Sequence, residues 1–357
     1  MAAVNEVTQS KIAVRQTTLR PWLLVGALAG LTGAVLAGIL VGPVRLPVGR
    51  VIGELLNDLP LVHVRSGLSS LEAAILWQIR VPRVVLGGLV GGMLAMAGAS
   101  YQGVFRNPLA DPYLLGVAAG AGLGATLAVA YLPGRAEWTI DPLPLVAFCG
   151  ALVAVAATYL LGRSGTRGRN TGALILAGVA VAAFFTAVQT YMQQQHADTL
   201  RQVYSWILGG LGTAGWRQVG LIVPYVAASG LVLLLHRRLL DVMSVGDEEA
   251  EGLGVRAARV RLTVVVAATL GTAAAVAVSG LIGFVGIIVP HTVRLVAGAS
   301  YRRILPLSVI LGAAFLILAD LMARTAVAPA EIPIGVITAF VGAPFFLLVL
   351  RHTRGPS

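Results

Sequence analysis

The chain has 357 residues, of which 57% are hydrophobic and only 11% charged. A soluble domain carries about 25% charged residues, so this composition, with a mean hydropathy of +0.86, excludes a water-soluble globule and points to an all-α polytopic membrane protein. The net charge of +11 would raise nucleic acid as a partner in a soluble protein; here basic loops on the cytoplasmic side of a membrane account for it, and no nucleic acid is expected.

At about 20 residues per span, the length has room for roughly ten helices. Residues 1–21 form a polar tail, and the apolar run that follows, to residue 41, is too long for the core of a signal peptide. It reads as a retained first span with its N-terminus inside. Residues 43–81 are the longest polar connection and contain a weakly helical stretch. The second span, 82–104, carries the pairs Gly87/Gly91 and Gly88/Gly92, spacing that lets two backbones approach closely. The third, 114–132, repeats glycine at 116, 120 and 124. Spans at 142–162 and 172–193 follow, and Cys149, in the first of these, reads as a small core residue. Residues 194–216 are too polar to span and predict a short interfacial helix with Tyr204 and Trp206. Further spans are predicted at 218–236, 262–279, 283–297, 304–323 and 333–350, so the membrane domain covers 22–351 and 352–357 form a second tail. Most Lys and Arg residues then fall on the side of the two termini, which supports a cytoplasmic placement for both. No internal repeat is visible.

Two features stand out against the apolar background. Pro290, His291 and Arg294 fall within five residues of the eighth span. Pro290 removes a backbone donor, so the helix should kink unless another group satisfies the freed carbonyl. Either this is an ordinary helix end with Arg294 at the headgroups, or it is part of the working machinery. Asp320 is the one acid inside a clear span, and Arg324 four residues on offers it a local partner. Lys11 is the sole lysine and lacks the glycine-rich context of a phosphate-binding loop. With no HExxH, GxSxG or Cys/His cluster, no catalytic residue, no metal site and no cofactor are expected in this chain. Any ATP and magnesium would have to be bound by a partner ATPase.

Seven segments carry a resemblance: WQIRVPR ending at Arg83, GVFRNPLADPYLLGVAAGAG (103–122), LILAGVAV (174–181), VGDEEAEGLGV (245–255), GFVGIIVPHTVR (283–294), RRILPLSVILGAAFLILADLMAR (302–324) and EIPIGVITAFVGAPFFLLVL (331–350). In this order, over about 72–351, they resemble the FecCD/BtuC-type permeases of binding-protein-dependent ABC importers for iron-siderophores, haem and cobalamin. The resemblance implies a type II ABC importer permease fold of about ten transmembrane helices in the bacterial cytoplasmic membrane. It also implies a second permease subunit as homodimer partner, two ATPase subunits, an extracytoplasmic binding protein and a metal-chelate cargo. A ferric siderophore is the first expectation and haem an alternative. WQIR and WILGGLGTAGW (206–216) look more like cobalamin permeases. A separate class, an ion-coupled secondary transporter, stays open, although the span centres are nearly free of ionisable groups.

The resemblance also implies roles for residues. Val245, Gly246, Asp247, Glu248, Glu249, Ala250, Glu251, Leu253 and Gly254 match the loop, 241–256, that docks into the ATPase. Gly246 permits a sharp bend and the acids after it suit a helix start. Arg80, Arg83 and Arg324 match outward-facing arginines that pair with glutamates of the binding protein. Asn170, Thr171 and Gly172 fall at the cytoplasmic gate, with Gly172 standing where a second hydroxyl residue is expected. Asn107, Pro108, Asp111 and Pro112, together with Pro290, His291 and Arg294, belong to the transmission region facing the ATPase. Met192, Gln193, Gln194 and Gln195 are candidates for the outer mouth of the path, or simply polar interfacial residues.

Overall fold

The structure, a computed structural model, describes residues 21–57, 67–132, 141–163 and 171–353. The helices are α1 (Pro21–Leu40), α2 (Val48–Asn57), α3 (Ser70–Ala74), α4 (Val81–Phe105), α5 (Val117–Tyr131), α6 (Leu143–Arg163) and α7 (Thr171–Gln195), then α8 (Leu200–Ile207), α9 (Trp216–Met243), α10 (Asp247–Gly252), α11 (Ala257–Ser279), α12 (Val285–Ala297), α13 (Tyr301–Thr325) and α14 (Ile334–Thr353). Among the described residues, seven helices are long and apolar enough to cross a membrane and three shorter apolar ones, α5, α12 and α14, accompany them. α8 is the short helix expected between the fifth and sixth spans. Cys149 departs from expectation: it lies exposed on α6 and not in the core.

α4 runs through the middle of the bundle, with α9, α11, α12 and α13 packed around it. Its sequence explains the position, because a glycine stripe removes the side chains that would hold neighbours away. A methyl group added at Gly91 would overlap the Gly312 carbonyl of α13, and one added at Gly98 would overlap the Gly286 carbonyl of α12. The same device closes α5 onto α6, where Gly120 meets Gly150 and Gly124 meets the backbone of Val146. In lipid no hydrophobic effect drives helices together, so close backbone packing supplies the attraction. The glycine pairs of the second and third spans thus face helices, not lipid.

Two four-helix runs, α4–α7 and α11–α14, share one pattern that the sequence did not display. In each the second helix is short and starts after a residue with positive φ, Gly116 (φ 84) for α5 and Phe284 (φ 68) for α12. α4 packs on α12 and α13 much as α11 packs on α5 and α6. At about 1.5 Å per residue, helices of 15 and 13 residues fall short of a ~30 Å hydrocarbon core. The irregular stretches 110–116 and 280–284 therefore complete the crossing, packed among the helices, while Arg106, Pro108 and Leu109 ahead of the first are exposed. They are joined to each other: Tyr113 OH donates to Ile282 O at 3.0 Å and accepts from Ile282 N at 3.1 Å.

Gly98→Ala should cost about 3 kcal/mol, the upper end for overpacking, because the overlapping atoms are backbone and cannot turn aside. Gly26→Ala on α1, with nothing within 4 Å of the added carbon, should be neutral or gain up to about 1 kcal/mol. Thermal midpoints of the detergent-purified chains compare the two.

Candidate functional site

The described charged groups gather at the two ends of the bundle. At the end expected to face outward, a wide turn at residues 75–80, with Val81 N bonded to Leu76 O, leads into Pro82 and brings Arg80 and Arg83 inward. Arg83 Nε and Nη2 donate to Asp320 Oδ1 at 2.9 and 2.8 Å, while Nη1 and Nη2 reach the Glu331 carboxylate, each at 2.9 Å. Arg324 Nε lies 3.5 Å from Asp320 Oδ2, and its Nη2 donates to Gly38 O. Arg80 donates to the carbonyls of Ile39 (3.0 Å), Leu40 (3.1 Å) and Val44. The last carbonyls of a helix have no partner within it, so Arg80 and Arg324 together satisfy and neutralise the C-terminal end of α1.

This placement differs from the sequence expectation for the three arginines. Arg80 (3% exposed), Arg83 (6%) and Arg324 (3%) are not displayed on the outer surface. Their charge is taken up inside the chain, because a buried guanidinium must be paired and these find two carboxylates and the end of α1. Asp320 accordingly has two partners, not the local one alone. Glu331, which the sequence did not single out as a partner, is the member that reaches solvent; hydrogen bonds from Arg83 hold it below the ordinary carboxylate range. Beside it opens a cavity of about 710 Å³ whose lining includes Arg83, Asp198, Arg201, Trp206, Arg217 and Glu331. Of the glutamines at the C-terminal end of α7, Gln193 is buried, with its Nε2 unpaired, and Gln194 and Gln195 are exposed.

At the other end, the acidic segment forms the helix expected of it. Gly246 (φ 145) makes the bend, and Asp247, Glu248 and Glu249 occupy the first turn of α10, where the helix dipole favours acids. Asp247 is ion-paired with Arg261 of α11 and lies 3.7 Å from Arg106. Ala250 is buried beneath the helix, while Val245 (63% exposed) and Leu253 (70%) flank it as bare apolar side chains. Glu248, Glu249, Glu251 and Gly254 are exposed. Two exposed aliphatics on a polar, rigid knob are what a protein partner would cover.

The loop after α4 is held by its own side chains. Arg106 (φ 48) ends the helix, Asn107 Oδ1 accepts from Leu109 N at 2.9 Å, and Asp111 Oδ1 accepts from Tyr113 N at 2.7 Å. Pro112 packs against Gly286 of α12, and Pro108 sits between the two turns. Pro290 lies inside α12, His291 meets the Phe345 ring edge-on with centroids 5.8 Å apart, and Arg294 donates to Gln102 and Tyr301. Asn170 lies outside the described residues; Thr171 and Gly172 open α7. Sequence reasoning missed Gln102, Tyr113, Asp241, Tyr301 and Glu331 as working contacts. Only Gln102 carried a usable signal, as a lone amide in an apolar helix.

A bundle of hydrophobic helices around a glycine-striped centre, with its described charged groups gathered at the ends and a short exposed helix on one of them, defines a multi-pass membrane protein. The chain belongs to the FecCD transport family, which it matches over residues 30–352. It is 41% identical over 289 residues (81% of this chain, 76% of the relative) to a cobalamin import system permease of Halobacterium salinarum. It is 38% identical over 326 residues (85% and 95%) to a hemin transport system permease of Yersinia pestis. A solved structure described as an inward-facing conformation of a metal-chelate type ABC transporter superposes with a TM-score of 0.80 at 27% identity, covering 93% of this chain and all of that one. The chain is therefore a permease of an ABC importer for iron chelates, haem or cobalamin.

Arg83→Met should destabilise the fold by about 3–5 kcal/mol, because it strands Asp320 beside a single remaining partner; the denaturation midpoint in detergent reads this.

Proposed function

We propose that this chain is the permease of an ATP-driven importer of a ferric siderophore, working as a homodimer with two ATPase subunits and an extracytoplasmic binding protein. The family match across nearly the whole chain carries the reading. ATP and magnesium belong to the partner ATPase, and this chain carries out no chemistry. Both termini lie in the cytoplasm, in keeping with the charge of the loops on that side. α10 docks into the ATPase: its exposed Val245 and Leu253 are covered and its acids meet basic groups. The binding protein sits on the opposite face, beside the Arg83–Glu331 pair, and the gate lies at the start of α7. The cavity on that face is lined by both signs of charge, Asp141, Asp198 and Glu331 beside Arg83, Arg201 and Arg217, and its polar walls suit a bulky polar chelate. Cobalamin is the second reading, favoured by the relative at 41% identity.

Uptake of radiolabelled ferric siderophore, cobalamin and haem by the complete complex in proteoliposomes separates these readings. ATP-dependent accumulation of the iron chelate is expected. Accumulation of cobalamin or haem alone would replace the cargo, and uptake abolished by an ionophore at constant ATP would indicate a secondary transporter.

A further inference from the structure

Pro290 has no N–H, so the carbonyl four residues earlier, that of Gly286, loses its helical donor. The structure provides another from outside the helix: Gln102 Nε2 of α4 donates to Gly286 O at 3.0 Å. Gly98, one turn earlier on α4, brings the two backbones close enough for this. The other end of the same amide is also engaged. Arg294, one turn beyond Pro290 on the same face of α12, donates through Nη1 to Gln102 Oε1, which fixes the direction of the amide. Arg294 Nη2 donates to Tyr301 OH at 3.1 Å. The backbone N–H of Tyr301, and Ser300 Oγ at 2.9 Å, donate to Asp241 near the end of α9, just before the bend into α10. Hydrogen bonds joined through the body of Tyr301 thus link the end of α9, just ahead of α10, to the first turn of α12. That turn follows the break at 280–284, where Gly280 (φ 67) and the non-glycine Phe284 (φ 68) both sit in the left-handed region. Gln102 is 2% exposed, so water cannot replace either partner.

Resting on the reading of α10 as the ATPase-docking element, we infer that Gln102 is a positioning residue for coupling. A planar amide held at both ends moves as one body. A displacement of α10 that shifts Asp241 and Tyr301 pulls on Arg294, and through Gln102 on the Gly286 carbonyl next to the break. The competing account is purely structural, with Gln102 present only to satisfy the carbonyl that Pro290 frees.

Pro290→Ala separates the two accounts, because it restores an N–H opposite Gly286 and leaves Gln102 needed only for Arg294. The measurement is uptake per ATP hydrolysed by the complete complex in proteoliposomes, alongside the thermal midpoint of each permease. Gln102→Leu should lower the midpoint and reduce uptake per ATP by about tenfold, within the ~5–150-fold range of a coupling free energy. Gln102→Leu with Pro290→Ala should regain the midpoint but not the ratio. Recovery of both in the double variant, or a Gln102→Leu ratio within about twofold of wild type, below the smallest usual coupling, overturns the proposal. A wild-type complex with no ATP-driven uptake would instead overturn the importer reading beneath it.

Discussion

A backbone carbonyl inside a bilayer must find its donor within the protein, since hydrocarbon offers none and each unpaired group costs several kcal/mol. Much of this structure follows from that constraint. It keeps the spans helical and allows the irregular stretches 110–116 and 280–284 only where they pack among the helices. It also explains why Tyr113 bonds to both backbone atoms of Ile282. Where Pro290 breaks the rule inside α12, a side chain from another helix repairs it.

The charged groups obey a related rule. A guanidinium withdrawn from water is tolerated only with partners, and Arg80, Arg83 and Arg324 have them in the end of α1, Asp320 and Glu331. The result joins α1, α4, α13 and the segment before α14 at one end of the bundle. The one solvent-reaching member of this group, Glu331, lies beside the cavity at that end. At the opposite end, Asp247 ties α10 to α11, and Asp241 ties the approach to α10 to the start of α13. The short α10 is thereby tied to long helices and does not hang as a loose loop.

Composition alone determined that the chain is helical and membrane-spanning, because 57% hydrophobic residues can be solvated only by lipid. Apolar runs placed the spans, the acidic run after Gly246 placed α10, and glycine spacing identified which faces would pack. The ordered motifs disclosed the family, and Pro290 announced a carbonyl in need of a donor. Three things were decided only by the tertiary structure. Arginines read as outward-facing became internal clamps, because Arg83 and Asp320 meet across 237 positions of sequence and no local pattern records such a pair. The matched short helices α5 and α12 emerged from packing, since their likeness is one of length and backbone angle, not of residue type. The donor for Gly286 proved to be Gln102, 184 residues away, because a freed carbonyl shows up in sequence as a proline while its partner is chosen by which helix lies within reach.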